Sequence, residues 1–194
     1  MICTNFAAKY PERVQSLTLS GGEPRVETEA TRDIMLTLGA TPRMEFARGM
    51  LDKDKLSLED MRHATADFFY DREHPAVETV ANLRMDTLGD IQLLERVRSD
   101  AREQINRGRN STTFETFAAI TAPTFLLHGR DEPGFYSEAD APLLLNAAMQ
   151  VIHAIGDCRC TLLPYCGHWP QLEMPDTYNE LVIGFLNEIR GVRD

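Results

Sequence analysis

The sequence predicts an α/β fold in which a small parallel sheet with flanking helices is interrupted by one long helical insertion. Three observations carry the prediction. A short apolar strand signal lies near the start, residues 25 to 119 carry helical patterning with no strand between the helices, and residues 120–194 alternate strand and helix signals. Strands that alternate with helices pair in parallel through right-handed crossovers. Only three strands are countable, which is few for a doubly wound sheet.

Taken in order, the segment TNFAAKY is the tail of a helix that Pro11 stops. Val14, Leu17 and Leu19 with Thr18 then form a short buried strand, ended by Gly21 and Gly22. Five short helices follow. The first ends at Gly39, the second has Pro42 in its first turn, and the third opens with Ser57 and Asp60 at capping-box spacing. The fourth starts at Pro75 and the fifth closes at Gly108. TFLLHG is the second strand, and SEADAPLLLNAAMQVIHAI is a helix with Ser137 and Asp140 near its start. CRCTLLP is the third strand, and the loop YCGHWPQLEMP leads into a last amphipathic helix whose Tyr178, Leu181, Val182, Phe185 and Ile189 share one face.

Composition narrows the function. The chain is 43% hydrophobic and 26% charged, with 12 Gly, 10 Pro and 4 Cys, which excludes a disordered chain, a collagen-like repeat and a disulfide scaffold. It carries 20 basic against 30 acidic residues, a net charge of −10 that repels phosphate backbones and anionic headgroups, so neither nucleic acid nor membrane is an expected partner. No run approaches the ~18 apolar residues of a membrane span. The first residues lack the marks of a signal peptide, and the cysteines read as reduced thiols, so the expected compartment is the cytoplasm.

In open α/β sheets reactive groups gather just past the carboxyl ends of strands. Two such places carry chemistry here. Gly129-Arg130-Asp131-Glu132 follows the second strand, and Tyr165-Cys166-Gly167-His168-Trp169 follows the third. A carboxylate and a histidine at neighbouring strand ends can meet, the acid fixing the imidazole tautomer for general-base work. The same residues also fit a surface carboxylate beside a loop histidine. Cys158, Cys160, Cys166 and His168 invite a zinc reading, although C-x-C is not the usual knuckle, the LLP between them reads as core strand and buried free cysteines are ordinary. Cys3 reads as a helix residue facing the sheet, and His63, His74, His128 and His153 as structural or exposed. Arg84 falls on the apolar stripe Val77, Val80, Ala81, Leu88, where a charge is costly unless paired. It fits either an ion pair at a helix–core seam or a cation facing a pocket. Methionines 35, 44, 50, 61 and 85 cluster in the helical insertion, as packing or as the lining of an adaptable apolar pocket.

Together NFAAKYPERVQSLTLSGG, GRDE, CGHWPQLE and the terminal YNELVIGFL helix resemble the α/β-hydrolase superfamily, and more narrowly the meta-cleavage-product hydrolases, which break carbon–carbon bonds in aromatic-ring degradation. The resemblance spans essentially the whole chain and is weaker in the helical insertion. It implies the last three parallel strands of that fold with an all-helical cap inserted after the first of them, residues 1–24 and 120–194 forming the core and 25–119 the cap. His168 matches the triad histidine, and Trp169 the pocket-lining tryptophan beside it. The family's acid lies three residues past the strand-end glycine, which is Glu132 here, with Asp131 as the competing candidate. Relatives place an arginine after a motif similar to Phe68–Asp71, where it binds substrate and stabilises charge during dienol-to-keto conversion, a role that falls on Arg84.

Such an enzyme also needs a serine on a G-x-S-x-G turn. The chain contains no G-x-S-x-G, and Ser20, Ser57, Ser99, Ser111 and Ser137 sit in no comparable turn. Counting back from NFAAKYP, the expected serine lies just ahead of Met1, which leaves the first strand with an apolar edge for a partner or a second copy to cover. The resemblance implies a C–C hydrolase acting on a small-molecule carboxylate of the 2-hydroxy-6-oxo-dienoate type, with no metal and no organic cofactor. An esterase, or a non-catalytic binding or scaffold protein built on the same fold, is the alternative.

Overall fold

The computed structural model describes residues 2–21, 56–88, 95, 113–131 and 141–191 of the chain. Three of the helices read in the insertion, those before residue 56 and the one closing at Gly108, fall outside the described residues except for Glu95. The elements in chain order are α1 (Ile2–Lys9), a 3-10 turn at Pro11–Arg13, β1 (Leu17–Ser20), α2 (Leu58–Ala66), α3 (Pro75–Leu88), α4 (Phe114–Ala118), β2 (Thr124–Gly129), α5 (Ala141–Ala154), β3 (Cys158–Leu163), α6 (Pro170–Glu173) and α7 (Pro175–Gly191).

The three strands form one parallel sheet in the order β1-β2-β3. Leu17 pairs with Thr124 and Ser20 with Leu127 on one side, and Thr124 pairs with Cys158 and Gly129 with Leu163 on the other. This register brings the ends of β2 and β3 level with each other. β2 is buried along its first five residues, as a strand covered on both faces must be. Its period of two splits the core. Leu126 points to one side and packs with Ala7 of α1, Leu17 of β1, Phe117 of α4, Val151 of α5 and Ile155 just past it. Phe125 and Leu127 point to the other and pack with Leu163, Cys166 and Phe185, the last from α7. The predicted face of α7 is the face that covers the sheet: Tyr178, Leu181, Val182 and Ile189 surround buried Phe185, whose ring lies 5.3 Å from that of Phe125.

α2 and α3 pack on each other through Leu56, Met61 and Ala81, and their second cluster, Ala66, Phe69 and Val77, reaches Trp169 and Leu172 beyond β3. The capping box forms as its spacing predicts. Ser57 Oγ accepts from the Asp60 N–H at 3.1 Å, and Asp60 Oδ2 accepts from the Ser57 N–H at 3.0 Å, so two orphan donors at the start of α2 are satisfied.

Two local expectations are corrected. Cys3 is exposed, because helical spacing puts Thr4 and Ala7 on the buried face of α1. β3 is not a core strand along its length: among the described residues it is an edge strand, in which Leu163 is buried while Cys160 is exposed and Leu162 is 48% exposed. Among the described residues β1 is the other edge of the sheet, and α1 beside it exposes Ile2 and Phe6. Among the described residues no helix is long and apolar enough to cross a membrane.

Leu126→Ala is expected to lower unfolding stability by about 2–5 kcal/mol, since it opens a cavity in a strand buried on both faces. Leu162→Ala, on the open edge, should stay within about 0.5 kcal/mol of the parent. Urea denaturation of the two variants side by side checks the assignment.

Candidate active site

The site is built on the loop that follows β3, and glycines let that loop lie where it does. Gly129 ends β2, and a β-carbon there would sit 1.9 Å from the Gly167 carbonyl oxygen and 2.3 Å from that of Cys166. Gly21, just past β1, has φ +64°, and a β-carbon on it would meet the His168 carbonyl oxygen at 2.8 Å. Gly167 itself leaves no room on its far side, where a β-carbon would lie 2.6 Å from the Phe68 carbonyl oxygen and 2.8 Å from the Tyr70 nitrogen. The strand ends and the helical segment thus close on Cys166–Trp169 backbone to backbone. Main-chain bonds fix the contact: the Arg130 N–H donates to Leu163 O at 2.8 Å, the Asp131 N–H to Cys166 O at 3.0 Å, and the His168 N–H to Phe68 O at 2.8 Å.

Around this frame the predicted residues divide. His168, Trp169 and Arg84 come together through Phe68. The Phe68 ring lies 5.2 Å from His168, edge to face, and stacks on Trp169 at 5.0 Å. His168 and Trp169 are 5.7 Å apart. The Arg84 guanidinium, carried by α3, lies 5.5 Å from the Phe68 ring centre and 5.8 Å from that of Trp169, the geometry of a cation over aromatic faces. Its Nη1 donates to Thr65 Oγ1 at 3.2 Å, and Thr65 is buried. Among the described residues no carboxylate pairs with it. Burial pushes the Arg84 guanidinium below its ordinary value, the cost of holding a cation away from water.

Asp131 sits at the end of β2 with its carboxylate occupied. Oδ1 accepts from Arg130 Nε at 3.0 Å and Oδ2 from Arg130 Nη2 at 2.9 Å, while Oδ2 also accepts from the Tyr165 N–H at 2.6 Å. The Arg130 hydrogen bonds, and then that of the Tyr165 amide, hold its carboxyl below the usual carboxylate range. Tyr165 takes a left-handed conformation, φ 56°, unusual for a residue with a side chain. Glu132, the other candidate acid, lies outside the described residues.

Three participants escaped sequence reasoning as site residues. Glu173 of α6 joins the loop to the helical segment: Oε1 accepts from the Gly167 N–H at 2.9 Å and from the Trp169 N–H at 3.4 Å, and Oε2 from the Tyr70 N–H at 2.8 Å. Its place in CGHWPQLE marks it as part of the motif, without revealing what it holds. Thr65 had no signal beyond its place on the inner face of α2. His128 was read as structural or exposed, and it is 7% exposed at the end of β2, with no hydrogen-bond partner on Nε2 among the described residues. Burial, together with the nearby His168, pushes its imidazole down to about 4. Among the other histidines, His74 accepts from the Ala76 N–H at 3.1 Å and His153 is exposed. Cys166 is buried in the sheet core while Cys160 is exposed, and among the described residues no three metal-ligating side chains gather at one point.

His128 is neutral when folded and protonates near pH 6.5 when unfolded. Its burial therefore adds stability above that pH, lost as pH falls from about 6.5 toward 4. The expected outcome of His128→Leu is a urea midpoint that declines less steeply than the parent's over that range, followed by circular dichroism.

No family model matches the chain. Curated proteins do. A 2-hydroxy-6-oxononadienedioate/2-hydroxy-6-oxononatrienedioate hydrolase of a Pseudomonas species is 24% identical over 188 residues, covering 93% of this chain and 57% of the relative. A 2-hydroxy-6-oxo-6-phenylhexa-2,4-dienoate hydrolase of Comamonas testosteroni is 26% identical over 190 residues, covering 95% and 58%. Among solved structures, a meta-cleavage product hydrolase from Pseudomonas fluorescens superposes with a TM-score of 0.63 at 22% identity, over 95% of this chain and 60% of that one. A lipase-like protein from Acinetobacter baumannii superposes with a TM-score of 0.61 at 15% identity, over 98% and 58%. The chain thus spans somewhat more than half the length of the relatives it matches. Its three-stranded parallel sheet with flanking helices is a partial α/β-hydrolase fold, and in sequence the chain resembles the meta-cleavage product hydrolases of that superfamily.

Proposed function

We propose that this chain provides the general base, its acid and the substrate-facing cap of a C–C hydrolase acting on 2-hydroxy-6-oxo-dienoate-type acids. The observation that carries the reading is Arg84. A desolvated guanidinium, set over Phe68 and Trp169 and one ring away from His168, favours an anionic ligand at that point, because a buried cation is costly until an anion joins it. A dienoate brings a carboxylate for Arg84 and a flat conjugated chain for the aromatic faces.

In this reading His168 takes a proton from the attacking serine or water and returns it to the departing carbon fragment. Addition of water across the broken C–C bond yields a shorter hydroxydienoate and a carboxylic acid. Glu132 is the acid that orients the imidazole. Asp131 suits that role less, because Arg130 and the Tyr165 amide already occupy its oxygens. The serine comes from a segment outside these 194 residues, packed against the β1 edge and the exposed Ile2 and Phe6 of α1. The four cysteines form no disulfide, which supports a reducing compartment such as the cytoplasm.

The test assembles the chain with an upstream G-x-S-x-G segment and follows loss of the dienoate chromophore beside a simple ester. His168→Ala is expected to cut turnover by about a hundredfold or more. Arg84→Met is expected to raise KM for the dienoate about tenfold while leaving the ester unchanged. Normal turnover by His168→Ala would sink the mechanism, and preference for the ester would move the reading to an esterase.

A further inference from the structure

The bonds made by Glu173 reach beyond its own loop. Its side chain lies six residues after Gly167 and more than a hundred residues after Tyr70, yet one carboxylate accepts from both, and from Trp169 as well. Oε1 serves the histidine loop and Oε2 serves the helical segment. Between them the His168 N–H donates to Phe68 O. Gly167 has no β-carbon to hold the two backbones apart, and a β-carbon there would also come within 3.0 Å of Glu173 Oε1. The Phe68 ring bridges the same seam, touching His168 and Trp169. Short main-chain contacts and ring contacts thus join residues 68–70 to the histidine loop, and Glu173 adds a side-chain carboxylate that grips both sides.

We infer that Glu173 is a positioning residue: by accepting backbone N–H groups from the Gly167–Trp169 loop and from Tyr70 together, it locks the helical segment to the histidine loop and so sets where His168 and Trp169 stand. A carboxylate is suited to this because ionised acceptors make stronger bonds to backbone N–H groups than neutral ones do. Its two oxygens also accept on separate sides without either needing a proton. Glutamine can replace only half of this arrangement, since its amide oxygen accepts while its NH2 meets another donor. The catalytic meaning rests on His168 as the base, whereas the positional claim stands without it.

Trp169 is the only tryptophan in the chain, so its fluorescence reports on this seam alone. The experiment uses the 194-residue chain with Glu173→Ala, Glu173→Gln and, as a control in the same motif, Gln171→Ala. In Glu173→Ala the emission is expected to shift to the red and acrylamide quenching to rise about twofold as the seam opens locally, with far-UV circular dichroism unchanged. Glu173→Gln should fall between, a partial rescue that a residue serving only as packing would not produce in this order. Should Glu173→Ala fail to fold, Glu173→Gln against the parent decides. Parent-like emission and quenching in the glutamate variants would overturn the inference, as would an equal shift in Gln171→Ala. Hydrolysis plays no part in these readouts, so loss of the proposed activity and loss of the lock are separately visible.

Discussion

The arrangement depends on one steric constraint: the loop after β3 must pass between the end of β2 and the helical segment with no side chain in the way. A β-carbon on Gly129 would run into the Gly167 and Cys166 carbonyls, one on Gly167 into Phe68 O and the Tyr70 nitrogen, and one on Gly21 into the His168 carbonyl. A methyl group at any of these three would push apart the parts that bring His168 to Trp169 and Phe68. Backbone against backbone is also a polar contact, and the N–H groups of Arg130, Asp131 and His168 each find a carbonyl across it. Shape and hydrogen bonding thus make the same demand.

That frame makes the electrostatics around it intelligible. Two basic side chains near the loop, His128 and Arg84, sit in places where water is scarce. Both are pushed toward their neutral forms by that burial. They end differently. His128 can shed its charge at ordinary pH. Arg84 cannot, and among the described residues its charge meets aromatic faces and one hydroxyl. A permanent cation held this loosely is an energetic opening for an anion, whereas the exposed Arg62–Glu78 pair on the outer faces of α2 and α3 shows an arginine already satisfied.

Much of this was legible in the sequence where periodicity or punctuation governs. The strand TFLLHG, the face of α7 and the capping box at Ser57 follow from spacing alone, because burial on one side of a regular element leaves a mark at every turn. The aromatic meeting of His168, Trp169 and Arg84 was legible only through motif resemblance, since residues so far apart carry no shared period. What stayed hidden were roles set by position along an edge. CRCTLL has the composition of a core strand, yet its place at the sheet's rim exposes Cys160 and Leu162. His128 shows the reverse: a polar residue at a strand end, buried because β2 lies between two neighbours.

Asp131, the acid that follows β2, links the shape of the loop to its electrostatics. Asp131 turns to Arg130 and to the amide of Tyr165, and in doing so holds Tyr165 in a left-handed conformation that a residue with a side chain avoids unless something compensates. The carboxylate is the compensation: it accepts the amide of the strained residue and helps bend the chain from β3 into the Gly167 turn. Asp131 thereby shapes the loop that bears His168 from its backbone side.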